Sequence, residues 1–160
     1  MSGFVRAAND GELRWFSGGG IHRWMATTEQ TDGSYLMFED RMERGKVTPL
    51  HLHPDADESM YLLEGEILIH LDGVEHRVGA GGLAMVPRGT QHAFLVTSEM
   101  ARMLVLITPG VGQEFFFDAS EPYVEGAPHE VDFAKIQQSA RTNGSTVILG
   151  PPPFANVPVG

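Results

Sequence analysis

The chain contains no cysteine. That absence excludes disulfides, thiolate zinc sites, iron–sulfur clusters and cysteine nucleophiles together, so any metal must be held by nitrogen and oxygen donors. Basic residues are scarce as well, with 11 Lys and Arg against 21 Asp and Glu, for a formal charge of −10 over 160 residues. A nucleic acid or an anionic membrane surface is recognised by clustered Lys and Arg, and here the cations are few and scattered. No window approaches the roughly 20 uninterrupted apolar residues of a membrane span, and the opening MSGFVRAANDGELRW has no apolar signal-peptide core. A cytoplasmic chain with a small-molecule or protein partner is the expectation.

Glycine and proline are plentiful instead, at 19 and 10 residues. They break the region from Ser34 to Pro109 into short apolar runs such as SMYLLEG, EILIHLDG, LAMVPRG, HAFLV and ARMLVLITPG, a pattern of short strands separated by turns. Hairpins are expected at Glu64-Gly65 and at Asp72-Gly73, where Asp-Gly suits a type I′ turn. Six or more strands with apolar residues on both faces predict an all-β barrel or packed double sheet, which removes exposed edges. Residues 1–33 are weakly patterned and are read as an N-terminal extension packing on the barrel of residues 34–110. Residues 111–160 are read as a C-terminal segment with one or two helices, Asp132 near the start of the second and Gly144 just past its end. A Pro-rich tail, VILGPPPFANVP, is expected to lie extended. All three belong to one domain.

The chemistry concentrates in residues 45–96. On a strand, side chains alternate, so His51 and His53 share a face about 6.5 Å apart and can converge on one ion. Glu58 and His92 would arrive from neighbouring strands. Three imidazoles and one carboxylate suit a single divalent ion of Fe, Ni, Mn, Co, Cu or Zn. Strand parity carries Met60 inward with Glu58, and Phe94 and Val96 inward with His92. The space beside the ligands is therefore expected to be apolar, fit for an apolar or aromatic organic ligand, with no inward Lys or Arg nearby. His22, His70, His76 and His129 are read as structural.

Taken with its glycines, the segment resembles the cupin family. Gly45, His51, His53, Glu58 and Gly65 keep the spacing of the first cupin motif, G-x5-H-x-H-x4-E-x6-G. Gly81, Pro87, Gly89 and His92 keep that of the second, whose final Asn is Val96 here. The resemblance implies a single jelly-roll-like β-barrel whose mouth binds one divalent metal, with His51, His53, Glu58 and His92 as ligands and a homodimer as the assembly. The segments ARMLVLITPGVGQEFFFDASEP and ILGPPPF are similar to a quercetin-dioxygenase-like single-domain bacterial subgroup. That likeness implies a dioxygenase acting on a flavonol, catechol or similar enolisable aromatic, with Glu58 also the catalytic proton acceptor. The alternatives are a metal-assisted isomerase, lyase or hydrolase, and a non-catalytic cupin that binds a small ligand.

Overall fold

The computed structural model describes residues 2–154. In chain order they form β1 (Leu13–Phe16), β2 (Gly20–Ala26), β3 (Leu36–Glu43), β4 (Leu50–Leu52), β5 (Asp57–Glu64), β6 (Glu66–Leu71) and β7 (Val74–Gly79). There follow β8 (Leu83–Val86), β9 (His92–Val96), β10 (Met100–Thr108), α1 (Gln113–Asp118), β11 (Ser120–Pro122), α2 (Phe133–Asn143) and β12 (Val147–Gly150). The strands make two antiparallel sheets, β11-β1-β2-β3-β10-β5-β8 and β12-β4-β9-β6-β7.

Period-two burial shows why these residues are strands. Leu36, Phe38, Asp40 and Met42 of β3, and Ala101, Met103, Val105 and Ile107 of β10, turn inward while their neighbours stay more exposed. All five residues of β9 are buried. The core between the sheets gathers Trp24, Phe38, Met60, Leu62, Ile67 and Met103, each at most 2% exposed. One inward position of β3 is a carboxylate, Asp40, and it faces His22 directly across the β2–β3 ladder.

Three expectations change in detail. The weakly patterned stretch 1–33 contributes β1 and β2, which lie within the large sheet and not merely upon it, because Gly18-Gly19-Gly20 forms a tight reversal that lets Phe16 pair with Gly20. The C-terminal segment has its two helices but also supplies β11 against β1 and β12 against β4. Glu64-Gly65 is not a hairpin turn, since β5 and β6 belong to different sheets; it is the corner at which the chain changes layer. Asp72-Gly73 is the expected tight hairpin, with φ of 47° and 88° and Leu71 paired to Val74. Asp132 caps α2 by accepting from the Lys135 amide at 3.0 Å, and Gly144 closes it with φ of 71°. The end of the extended tail lies outside the described residues.

The corner at Gly65 is demanding. Its φ is +77°, and a Cβ there would strike the Met100 carbonyl oxygen. At Gly73 φ is also positive, yet the space around a Cβ is open. Gly65→Ala is therefore expected to cost about 2 kcal/mol or more in urea unfolding, and Gly73→Ala about 1 kcal/mol. Equal losses at the two positions would contradict the close approach at the corner.

Candidate metal centre

His51 of β4 and His92 of β9 are direct cross-strand partners in the small sheet, and His53 follows two residues on. Glu58 enters from β5 of the large sheet, so the cluster joins the two layers. The potential ligand atoms of His51, His53, Glu58 and His92 all lie within 4.8 Å of one another. Glu58 Oε2 is 3.0 Å from His92 Nε2 and 3.3 Å from His53 Nε2. His53, Glu58 and His92 are buried and His51 is partly so.

Each imidazole is oriented by a main-chain carbonyl. The Nδ1–H groups donate to Pro49 O from His51 (2.8 Å), to Thr90 O from His92 (3.0 Å) and to Ser145 O from His53 (3.2 Å). A carbonyl only accepts, so these contacts place a proton on Nδ1 of each ring and direct Nε2 toward the cluster, where it would be the ligating atom when an ion is bound. Outer carbonyls that fix tautomer and ring direction in this way are a regular feature of histidine metal sites. Two Nε2 atoms then face one carboxylate oxygen, an arrangement that calls for a positive charge between them. Among the described residues the His53 Nε2 is buried without a hydrogen-bond partner. The four residues fit a divalent first-row ion with nitrogen and oxygen ligands.

Supporting contacts hold the loops in register. Asp57 accepts from the Arg88 backbone amide at 2.8 Å and from its guanidinium Nε and Nη2 at 3.2 and 3.1 Å. Those hydrogen bonds keep the half-buried Asp57 carboxyl below its usual range. The pair ties the residue before Glu58 to the loop leading to His92. Ser145 and Thr146, ahead of β12, close the cluster from the C-terminal side, a contribution with no signal in the motif spacing.

Burial, with the neighbouring His92 and His53, pushes His51 down to about 3. Burial would also lower His53, but the Glu58 carboxylate 3.3 Å away outweighs it and raises the imidazole. Burial raises Glu58, and is outweighed in turn by the His53 imidazole 3.3 Å away and the hydrogen bond with His92, which hold the carboxyl well below its ordinary range. These shifts predict acid sensitivity of the metal-free protein. Below the ordinary histidine value of 6.5 the unfolded chain binds a proton at position 51 that the folded chain refuses until pH is near 3. Stability therefore falls with pH across that window, by up to about 1.4 kcal/mol per pH unit. His22, also lowered by burial, acts in the same sense. The contribution of His53 is fully present below pH 6.5 and is lost only above it, so it does not cancel the trend. In chelator, the urea midpoint should drop from pH 7 to pH 5; a flat midpoint would contradict a His51 that stays neutral in the folded chain.

The cluster opens into a cavity of about 60 Å³, several times the space one water needs. Phe94 lines it, as strand parity predicts. Met60 and Val96 point inward but do not border it. Each step of two residues carries the side chain about 6.5 Å further along the strand, so inward parity alone does not keep a residue beside the ligands. The expected absence of a nearby cation also fails, because Lys46 lines the same cavity with Asp40 and His22. Reading His22 as inward with Trp24 and Ala26 along β2 would have placed it; Lys46, which precedes β4, follows no strand parity.

Residues 38–107 match the Cupin domain family model. Among curated proteins, the chain is 28% identical over 141 residues to "Quercetin 2,3-dioxygenase" of Bacillus subtilis, covering 85% of this chain and 41% of that protein. It is 29% identical over 59 residues to an uncharacterized protein of Aquifex aeolicus, covering 37% of this chain and 49% of the other. The chain thus spans less than half the length of each of these curated relatives. Solved structures agree on the fold. KdgF from a Halomonas species superposes with a TM-score of 0.61 at 19% identity over 68% of this chain and 94% of its own. An RmlC-like cupin from Shewanella frigidimarina gives 0.62 at 19% over 72% and 96%, and a predicted oxalate decarboxylase from Thermotoga maritima gives 0.59 at 22% over 66% and 98%. Motif spacing, two-sheet barrel and the match over residues 38–107 agree on the fold: this chain has the β-barrel architecture of the cupins.

Proposed function

We propose that this cupin is a metal-dependent dioxygenase acting on an enolisable aromatic of the catechol or flavonol type. The observation that carries the reading is the convergence of three carbonyl-oriented imidazoles and one carboxylate at the wall of a buried, mainly apolar cavity. Similarity to a protein named as a quercetin dioxygenase supports it. A divalent ion held by His51, His53, Glu58 and His92 supplies Lewis acidity toward a substrate oxygen and a route for its reaction with O2. The chain's own residues do the rest. Glu58 accepts the hydroxyl proton of the substrate as the enolate forms. Phe94 and Phe116 pack against the ring, and the apolar wall keeps water from reprotonating the enolate. Both oxygen atoms of O2 enter the cleaved product, so no external reductant is consumed. The small cavity favours one-ring or compact members of the class.

The test is O2 uptake by metal-free protein reconstituted separately with Fe, Ni, Mn and Co, offered catechols, flavonols and β-diketones, with His51→Ala as control. Uptake that requires both metal and His51 is the expected result. Stoichiometric metal binding without uptake for any pairing would overturn the reading, and turnover supported by redox-silent zinc without O2 would point to isomerase, lyase or hydrolase chemistry.

A further inference from the structure

The cavity beside the metal centre has a second pole, and it is charged. Lys46 Nζ lies 2.5 Å from Asp40 Oδ2, and His22 Nε2 lies 3.5 Å from the same oxygen. The three side chains are only 2–4% exposed. The His22 ring is stacked between Phe38 at 4.3 Å and Phe16 at 4.7 Å, and Lys46 Nζ sits 5.5 Å from the Phe16 ring centroid and 5.6 Å from that of Phe94. The pair is seated against Gly20, where a Cβ would strike Asp40 Oδ1 and crowd Lys46 Nζ.

Burying an ion pair in apolar surroundings costs several kcal/mol per ion and is recovered only when the remaining hydrogen-bonding capacity is met. Here it is not met. Asp40 Oδ1 and His22 Nδ1 are buried without a partner, and Lys46, with three N–H donors, has one protein acceptor among the described residues. Apolar residues of similar volume would fill this wall at no such cost. The open valences belong to residues that line the same cavity as the metal cluster.

We infer that Lys46, Asp40 and His22 form a recognition site for a neutral hydroxyl at the far end of the ligand whose near end meets the metal centre. Charge selects the group: Asp40 balances Lys46, so a carboxylate gains no net attraction and would meet the Asp40 carboxylate. A hydroxyl can accept from Lys46 and donate to Asp40 Oδ1 or His22 Nδ1. Position fits as well. Lys46 accepts through its main-chain carbonyl from the Val96 amide, four residues along β9 from His92, so the Lys46 backbone lies about 13 Å along the strand from that of His92, and the side chains of both line the one cavity. That spacing suits a ligand built on a ring, with Phe94 between the poles.

The inference rests on the reading that this cavity takes the substrate, and its test uses zinc-loaded protein without oxygen so that binding is read apart from oxidation. The probes are 4-methylcatechol, 4-(hydroxymethyl)catechol and 3,4-dihydroxybenzoate, titrated by calorimetry. The hydroxymethyl compound should bind at least about 10-fold more tightly than the methyl compound of the same shape, and the carboxylate should gain nothing over the methyl compound. Asp40→Leu combined with Lys46→Met removes both charges without stranding either, and should reduce the preference to under about 2-fold with zinc stoichiometry unchanged. Gly20→Ala, which displaces the pair by contact, should cut the preference likewise. Equal affinities on the unmodified chain, a preference that survives in the double variant, or no binding of any probe to the zinc-loaded chain would overturn the inference. Catechols that bind with the stated preference while O2 uptake fails would overturn only the oxygenase reading.

Discussion

His51→Ala is expected to lower divalent-metal affinity by more than about 100-fold while leaving the fold intact. Loss of an outer hydrogen-bond partner to a histidine ligand typically costs about 10–100-fold, and here an entire donor is removed. The fold should survive because His51 is only partly buried and its side chain packs mainly against the His92 and His53 rings, at centroid distances of 4.2 and 5.2 Å. In the metal-free state the change should even be favourable in acid. Removing His51 takes away the imidazole held near 3, and with it the proton that unfolding would take up below pH 6.5. The variant should therefore show weaker metal binding in calorimetry together with a shallower fall of the urea midpoint between pH 7 and pH 5. Metal affinity within a few-fold of the unmodified chain would remove His51 from the ligand set.

Glu58→Gln separates holding the ion from moving the proton. Glutamine keeps the volume and one donor oxygen but loses the charge and the basicity. A positioned general base contributes about 10²- to 10⁴-fold, so O2 uptake with catechol-type substrates should fall within that range while one equivalent of metal is retained at reduced affinity. The reversed partition, full metal loss with no residual binding, would make Glu58 chiefly a ligand, and an unchanged rate would remove it as the proton acceptor. The same substitution removes the carboxylate that raises His53, so His53 should titrate lower in the variant, measurable by NMR of the metal-free protein.

The metal cluster is legible in the sequence because its physics is local. Alternation alone puts His51 and His53 on one face, and the spacing to Glu58 and His92 lets two further strands deliver their side chains to the same point. The caps of α2 and the turn at Asp72-Gly73 are legible for the same reason, since a short carboxylate side chain and a glycine act within a few residues. What fails is what depends on packing between distant segments. Gly65 needs positive φ in a hairpin and in a corner alike, so the residue type does not tell which it is. The inward direction of Met60 and Val96 follows from parity, but whether they reach the cavity depends on how far each lies from the mouth. His22, Asp40 and Lys46 come from three segments and meet only because β2 and β3 align His22 with Asp40 and Lys46, in the chain before β4, reaches the same carboxylate. β1 and β2 are recruited to the sheet by the β3 edge, which offers unpaired backbone groups that no composition statistic reveals.

Titrating metal-free protein with Co(II), with binding followed by visible absorption and by calorimetry, tests the central claim most directly, because it asks only whether His51, His53, Glu58 and His92 form one site. The account predicts saturation at one equivalent per chain, a nitrogen–oxygen ligand spectrum without thiolate bands, a rise in the unfolding midpoint, and loss of all three in a chain carrying His51→Ala and His92→Ala together. Saturable binding that persists unchanged in the double variant, or no binding by the unmodified chain, would contradict it.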